Sequence, residues 1–272
     1  MTVEKGGPDA TDRMEAGVTG MGGLGLGGLG LGGRVAVVTG GAGGIGSAIA
    51  ADLASLGARV IVADVDLTGA EKVAAGLVSE SALALALDLA SPPSIEGFAA
   101  AAGRVDILVH NAGVSIVEPF VSSDPAGWDL MWQVNLRGPM LLTKLLLPGM
   151  LAAGWGRLVF VSSDGARAGS GGEAAYAATK SGLFGLAKTL AREAARANVT
   201  SNVVCPGPTD TPMLRRVGAD RPGLVEKITR GVPLRRLGTP ADVAGLVAYL
   251  CTDRAAYITG QTLSVSGGVT MH

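Results

Sequence analysis

From Arg34 onward, short apolar β-branched runs alternate with spans of helical periodicity, and that alternation confines the chain to one class of architecture. Residues 34–39 (RVAVVT) are bounded by glycine and apolar at their centre, the pattern of a strand buried on both faces. A glycine cluster over 40–46 follows. A helical pattern then places Ile49, Ala50, Leu53 and Leu56 on one face and stops at Gly57. The cycle recurs, with strands predicted at 60–63, 82–87, 105–109, 157–161, 200–204 and 262–265. Helices are predicted at 68–78, 92–102, 124–151, 173–197 and 240–250. Strands joined through helices imply right-handed crossovers, hence a parallel sheet covered on both faces. The expectation is an α/β, doubly wound, seven-stranded domain.

Before that domain the composition differs. Of 43 glycines, nine lie between Gly20 and Gly33, where they interrupt leucines and follow a polar, charged start. Residues 1–30 read as a flexible extension rather than a secretory signal, which needs a basic start and an unbroken apolar stretch. Gly25, Gly27 and Gly30 satisfy G-x-G-x-x-G there by composition alone, with no strand before them and no helix after. The 22 basic and 23 acidic residues nearly cancel and aromatic residues are 4%, which argues against a nucleic-acid surface. No apolar run approaches the ~20 residues of a membrane span. Cys205 and Cys251 lack metal or redox spacing and sit among apolar neighbours, as reduced core thiols of a cytoplasmic protein would. His110 is the only internal histidine, so a histidine-based metal site or a Ser-His-Asp triad is not expected.

In a doubly wound sheet, ligands bind at the carboxyl ends of the strands, so the residues just past each strand carry the function. After the first strand, Gly40 permits a tight turn, Gly44 lets backbone approach a pyrophosphate, and Gly46 permits close helix–strand packing. The helix N-terminus then faces the phosphates. Asp64 follows the second strand, 18 residues beyond Gly46, where a carboxylate accepts hydrogen bonds from an adenosine ribose and repels a 2′-phosphate. NAD is therefore expected as cofactor rather than NADP. Asp88 and Leu89 follow the third strand, placed to meet the adenine edge. Asn111-Ala112-Gly113 follow the fourth, and Ser162 and Ser163 the fifth. Tyr176 and Lys180 share a helix face at i and i+4. A close ammonium favours the ionised phenol, which suits proton exchange with an alcohol.

Taken together, Thr39-Gly-x-x-x-Gly44-Ile45-Gly46, Asn111-Ala-Gly113, Asn135, Ser163, Tyr176-x-x-x-Lys180 and Pro206-Gly207 resemble the short-chain dehydrogenase/reductase family over residues 31–272. The resemblance implies a single Rossmann-like catalytic domain, a homotetramer, and an oxidoreductase acting on CH–OH donors. It implies Tyr176 as general acid/base and Lys180 as the group that lowers its pKa and holds the nicotinamide ribose. Ser163, thirteen residues before the tyrosine, would bind the substrate oxygen, and Asn135 a relay water. Pro206, Gly207, Thr209 and Thr211 would flank the carboxamide and phosphates, and residues 210–236 would form a mobile lid rich in arginine.

Local stretches such as Gly171-Gly172-Glu173-Ala174 are similar to 2-hydroxycyclohexanecarbonyl-CoA dehydrogenases and, more loosely, to 3-oxoacyl-thioester reductases. The expected substrate is a secondary alcohol or ketone, cyclic or CoA-linked. A carrier-protein-linked reductase using NADPH is the alternative, although that group's docking arginines would fall at Leu141 and Ala197. A non-catalytic NAD-binding module is the other alternative, disfavoured by the complete set of four catalytic residues.

Overall fold

Each apolar run becomes a strand of one sheet, because its alternating side chains have a hydrophobic layer to enter on either side. The computed structural model describes residues 28–78, 82–219 and 221–271. In chain order it contains β1 (Val35–Thr39), α1 (Gly44–Ser55), β2 (Arg59–Asp64), α2 (Leu67–Ala75), β3 (Leu83–Ala86), α3 (Pro92–Ala102), β4 (Ile107–His110), α4 (Pro125–Trp132), α5 (Gly138–Ala153) and β5 (Gly156–Val161). Then come α6 (Gly165–Ala168), α7 (Ala174–Ala194), β6 (Val199–Pro206), α8 (Pro212–Ala219), α9 (Leu224–Gly231), α10 (Pro240–Cys251) and β7 (Thr262–Val265). The seven strands are parallel in the order β3-β2-β1-β4-β5-β6-β7. The order reverses between β1 and β4, and a crevice opens beyond their carboxyl ends. This is the Rossmann-like doubly wound α/β fold expected.

The period of two along each strand sorts the core into two layers. Ala36, Val38, Val60, Val62, Ile107, Val109 and Val159 face α1, α2 and α10. Val37, Ile61, Leu108, Leu158, Phe160 and Val203 face α3, α5 and α7. Cys205 and Cys251 are free and buried, one in each layer. Burial pushes their thiols up to about 11 and about 12. Of the extension expected over 1–30, residues 1–27 lie outside the described residues. Leu31 is buried, its N–H bonded to the Leu56 carbonyl.

The helix predicted over 124–151 is interrupted by a π-turn, Gln133–Arg137, between α4 and α5. Pro139 explains it. Proline has no N–H to give to the carbonyl four residues back, which belongs to Asn135. The helix widens instead, and the Gly138 N–H reaches the Gln133 carbonyl, five residues back. The segment expected to be a mobile lid carries two short amphipathic helices, α8 and α9, where no helix is predicted from the sequence. Among the described residues no helix is long and apolar enough to cross a membrane.

Candidate active site

Beyond the strand ends lies a cavity of about 820 Å³ that runs from the β1–α1 turn to the lid helices. Its first wall is the glycine turn. Gly40 has φ +64°, and a Cβ there would stand 2.7 Å from the Ala112 backbone. A Cβ on Gly46 would stand 2.1 Å from the Gly40 carbonyl oxygen, so α1 packs against the turn only because that position is glycine. Thr39, fully buried, ties the turn to β4: its hydroxyl oxygen accepts the Asn111 and Ala112 N–H groups at 3.1 and 3.2 Å. The Asn111 amide donates to the Thr39 and Gly40 carbonyls at 3.1 and 3.0 Å. Asn111 therefore clamps the turn from beneath. α1 begins at Gly44 and Ile45 with no side-chain cap and no acidic residue in its first turn. Its free N–H groups and positive dipole end, with a glycine bordering the cavity at Gly44, suit a pyrophosphate.

The second wall is set by the ends of β2 and β3. Asp64 is half-buried, and its carboxylate accepts the Ala42 N–H of the glycine turn and the Asp66 N–H, each at 3.0 Å. None of the ion pairs among the described residues includes it. The next side chain, Val65, is apolar and exposed. Asp88 is exposed and turns its carboxylate to the Ala90 N–H, while Leu89 is buried beside it. Both line the cavity.

The far end gathers the four expected catalytic residues. Ser162 and Ser163 part company: the buried Ser162 hydroxyl donates to the Lys180 carbonyl at 2.9 Å, whereas Ser163 lines the cavity near Tyr176, where its hydroxyl accepts the Gly165 N–H at 3.1 Å and favours the ionised phenol. Lys180 is buried and donates to the Val161 carbonyl at 2.9 Å, its Nζ 6.0 Å from the Tyr176 ring centroid. Gly113 makes room for it, since a Cβ there would stand 2.9 Å from Nζ. Asn135 is buried in the π-turn. Its amide is spent on the Val114 N–H and carbonyl, at 2.8 and 2.9 Å, and on Thr179 at 3.2 Å. Asn135 thus fixes the loop after β4, and Pro139 leaves its main-chain carbonyl without the usual i+4 donor.

The protonation states differ from the expectation that Lys180 lowers the tyrosine pKa. Burial pushes the Tyr176 phenol up to about 12, with Glu173 adding to the rise and the nearby Ser163 hydroxyl opposing it. Burial pushes Lys180 down to about 8. Desolvation is the largest cause for both groups, because each loses water on its charged form, and at Tyr176 the Glu173 charge acts in the same direction. His110 lies outside the proton-exchanging set. It is stacked on Phe160 at 4.9 Å and hydrogen-bonded to Thr143 at 2.8 Å, and burial, then Lys180, hold it at about 3.

β6 and the lid close the site. Gly207 follows Pro206, and a Cβ there would meet the Ser266 backbone at 2.7 Å. The Thr209 hydroxyl donates to the Gly207 carbonyl at 2.9 Å, and that of Thr211 accepts the Leu214 N–H at the start of α8 at 3.3 Å. All four expected residues line the cavity. Of the lid arginines, Arg221 lines the cavity, Arg215 pairs with Asp210, and Arg236 pairs with Asp242. Two wall residues, Glu173 and Ser115, carry no role in the sequence motifs. Glu173 stands one helical turn before Tyr176, a spacing that marks it. Leu141 and Ala197, where carrier-docking arginines would fall, pack against the apolar layer, with Arg196 beside the second. Among the described residues no cluster of His, Cys, Asp or Glu could hold a metal ion.

Residues 40–270 match the family model described as enoyl-(acyl carrier protein) reductase. The chain is 38% identical over 245 residues to 2,3-dihydroxy-2,3-dihydro-p-cumate dehydrogenase of Pseudomonas putida, covering 88% of this chain and 95% of that one. It is 39% identical over 243 residues to the 3-oxoacyl-(acyl-carrier-protein) reductase FabG of Escherichia coli K12, covering 88% and 98%. A crystal structure described as that of a putative NAD(P)-dependent gluconate 5-dehydrogenase from Beutenbergia cavernae, with NADP at low occupancy, superposes with a TM-score of 0.84. It shares 36% identity, covering 89% of this chain and 99% of that one. With this fold, these residues and these relatives, the chain belongs to the short-chain dehydrogenase/reductase family of oxidoreductases.

Proposed function

We propose that this oxidoreductase interconverts a secondary alcohol and a ketone with NAD(H), using Tyr176 as general acid/base. The observation that carries the reading is the meeting of Tyr176 and Ser163 at the cavity wall, with Lys180 buried alongside. When bound, the nicotinamide supplies or accepts the hydride. The chain's own residues handle orientation and the proton. Ser163 holds the substrate oxygen against the Tyr176 hydroxyl. At neutral pH the phenol is protonated, ready to donate to the oxygen of a ketone being reduced. In the opposite direction it must first ionise, so alcohol oxidation is favoured by alkaline pH. Lys180 orients the nicotinamide ribose, and a water on the Asn135 carbonyl connects Lys180 to solvent.

Asp64 supports NAD over NADP. Its carboxylate faces the ribose position from the end of β2 with no cation paired to it among the described residues. A 2′-phosphate at ~4 Å would feel about 4 kcal/mol per unit charge before screening, and a third of that is a tenfold preference. The substrate proposed is a cyclic alcohol or a free CoA thioester rather than a carrier-protein thioester, because Leu141 and Ala197 offer no docking cation. We place the enzyme in the cytoplasm as a homotetramer, with 31–272 as its catalytic domain and 1–30 as an appended segment.

The test is a screen of secondary alcohols and ketones, including hydroxyacyl-CoA esters, with NAD(H) and NADP(H). Turnover with NAD at least tenfold above NADP in kcat/KM is expected. No reduced cofactor with any member of the panel would favour a regulatory dinucleotide-binding module instead.

A further inference from the structure

Glu173 ends the loop before α7 at the position where a side chain usually caps a helix, yet its carboxylate caps nothing. It turns into the cavity instead. One oxygen, Oε1, lies 3.4 Å from the Ser115 hydroxyl. The other, Oε2, borders the same small space as the substrate-binding serine: Glu173 Oε2 and Ser163 Oγ stand 3.5 and 3.3 Å from the one point where a Gly165 Cβ would sit. Gly165 thereby keeps the space between carboxylate and serine open. None of the ion pairs among the described residues includes Glu173. Among those residues the Ser115 hydroxyl is the one donor to its carboxylate, and that contact is long. A carboxylate has room for about four such bonds. Asp164, the other acid at this end, is buried and accepts from Ser264 at 2.6 Å.

We propose that Glu173 is a specificity-determining residue that accepts a hydrogen bond from a second hydroxyl, on the carbon next to the reacting one, so that the enzyme takes vicinal diols and their α-hydroxyketones. This rests on the alcohol–ketone reading of the same site. Ser163 fixes the reacting oxygen, and the neighbouring oxygen of a vicinal diol is then the substrate atom nearest Glu173. A hydrogen bond to an ionised acceptor is worth about tenfold or more in binding. The diol meets a waiting acceptor, while a simple alcohol leaves that carboxylate facing apolar substrate. A substrate carboxylate in the same place would be repelled. A hydroxyl is assigned rather than an ammonium because Lys180 and Arg221 line this cavity and would repel a substrate cation, offsetting the pull of Glu173 and Asp164.

The experiment compares kcat and KM for cyclohexane-1,2-diol against cyclohexanol, and for butane-2,3-diol against butan-2-ol, in wild type, Glu173→Gln and Ser115→Ala. Wild type is expected to favour each diol at least tenfold, mainly through KM. Glu173→Gln should reduce that ratio to within about threefold, and Ser115→Ala, which keeps the carboxylate, should preserve it. The proposal is overturned if wild type shows no preference, if Glu173→Gln leaves the ratio intact, or if Ser115→Ala abolishes it. A stronger preference for 2-aminocyclohexanol would overturn the hydroxyl assignment. Turnover of mono-alcohols and diols at equal efficiency defeats this proposal alone. Absence of turnover with all four probes defeats the alcohol–ketone reading and this one with it.

Discussion

Tyr176 and Lys180 lie one helical turn apart, and burial moves their protons in opposite directions, the phenol up to about 12 and the ammonium down to about 8. Alcohol oxidation needs an ionised phenol, so kcat/KM for oxidation should rise with pH across the alkaline range, whereas ketone reduction should already be competent at neutral pH. Because the Ser163 hydroxyl lowers the tyrosine pKa and Glu173 raises it, the two substitutions pull apart. Ser163→Ala should displace the acid limb of the oxidation profile to higher pH, and Glu173→Gln should displace it to lower pH. A pH profile of kcat/KM, which reports the free enzyme, checks both signs. Asp64→Ala should narrow the NAD-over-NADP ratio from at least tenfold to within about threefold, since the charge opposing a 2′-phosphate is lost, while the lost hydrogen bonds to the Ala42 and Asp66 N–H groups affect both cofactors alike. Paired steady-state kinetics with the two cofactors measures it.

At the scale of elements, the β1–α1 turn and the π-turn do the positioning, and both are consequences of single residues. Gly46 approaches the Gly40 carbonyl so closely that Gly46→Ala must open the turn, whereas a Cβ on Gly43 would meet that same carbonyl at 3.3 Å. Gly46→Ala should therefore cost about 1–3 kcal/mol of stability and weaken dinucleotide binding more than tenfold, and Gly43→Ala should cost clearly less. Thermal melts and a fluorescence titration with NAD separate the two. Much of this scale was legible in the sequence. Strand positions were, because fully buried β-branched runs leave little choice of structure, and the prediction for β7 matches to the residue. The π-turn was not read, although Pro139 carried its signal: the missing N–H matters only through which carbonyl it abandons. The lid helices α8 and α9 are amphipathic, but at eight residues each they are too short for that pattern to stand apart from a charged loop. Glu173 and Ser115 escaped for another reason. They reach the site through the folding of loops, and only Glu173 has a sequence spacing to the tyrosine that reveals it.

For the whole molecule, the parallel sheet sets what can be titrated. His110 closes β4 inside the layer of α5 and α7, stacked on Phe160, with a proton affinity held at about 3 instead of 6.5. The unfolded chain binds a proton there that the folded chain refuses. Stability contributed by neutral His110 is thus complete above 6.5 and is lost as pH falls toward about 3. The slope is at most about 1.4 kcal/mol per pH unit. Urea midpoints measured at and one unit below pH 6.5 should fall in wild type and fall less in His110→Asn.

The spatial order of the strands could not be read from the sequence, because alternating strands and helices fit several windings. Parallel pairing and the strand-end location of the site could be, and so nearly every residue picked from a strand end lines a single cavity. The central claim is that a phenol on α7 exchanges the substrate proton. It is tested most directly by comparing wild type and Tyr176→Phe at saturating NAD with the best alcohol from the screen, alongside NAD affinity. A loss of about 10²–10⁴-fold in kcat with NAD affinity retained is predicted, because only the titratable hydroxyl is removed. Retention of more than about a tenth of the wild-type rate by Tyr176→Phe would contradict it.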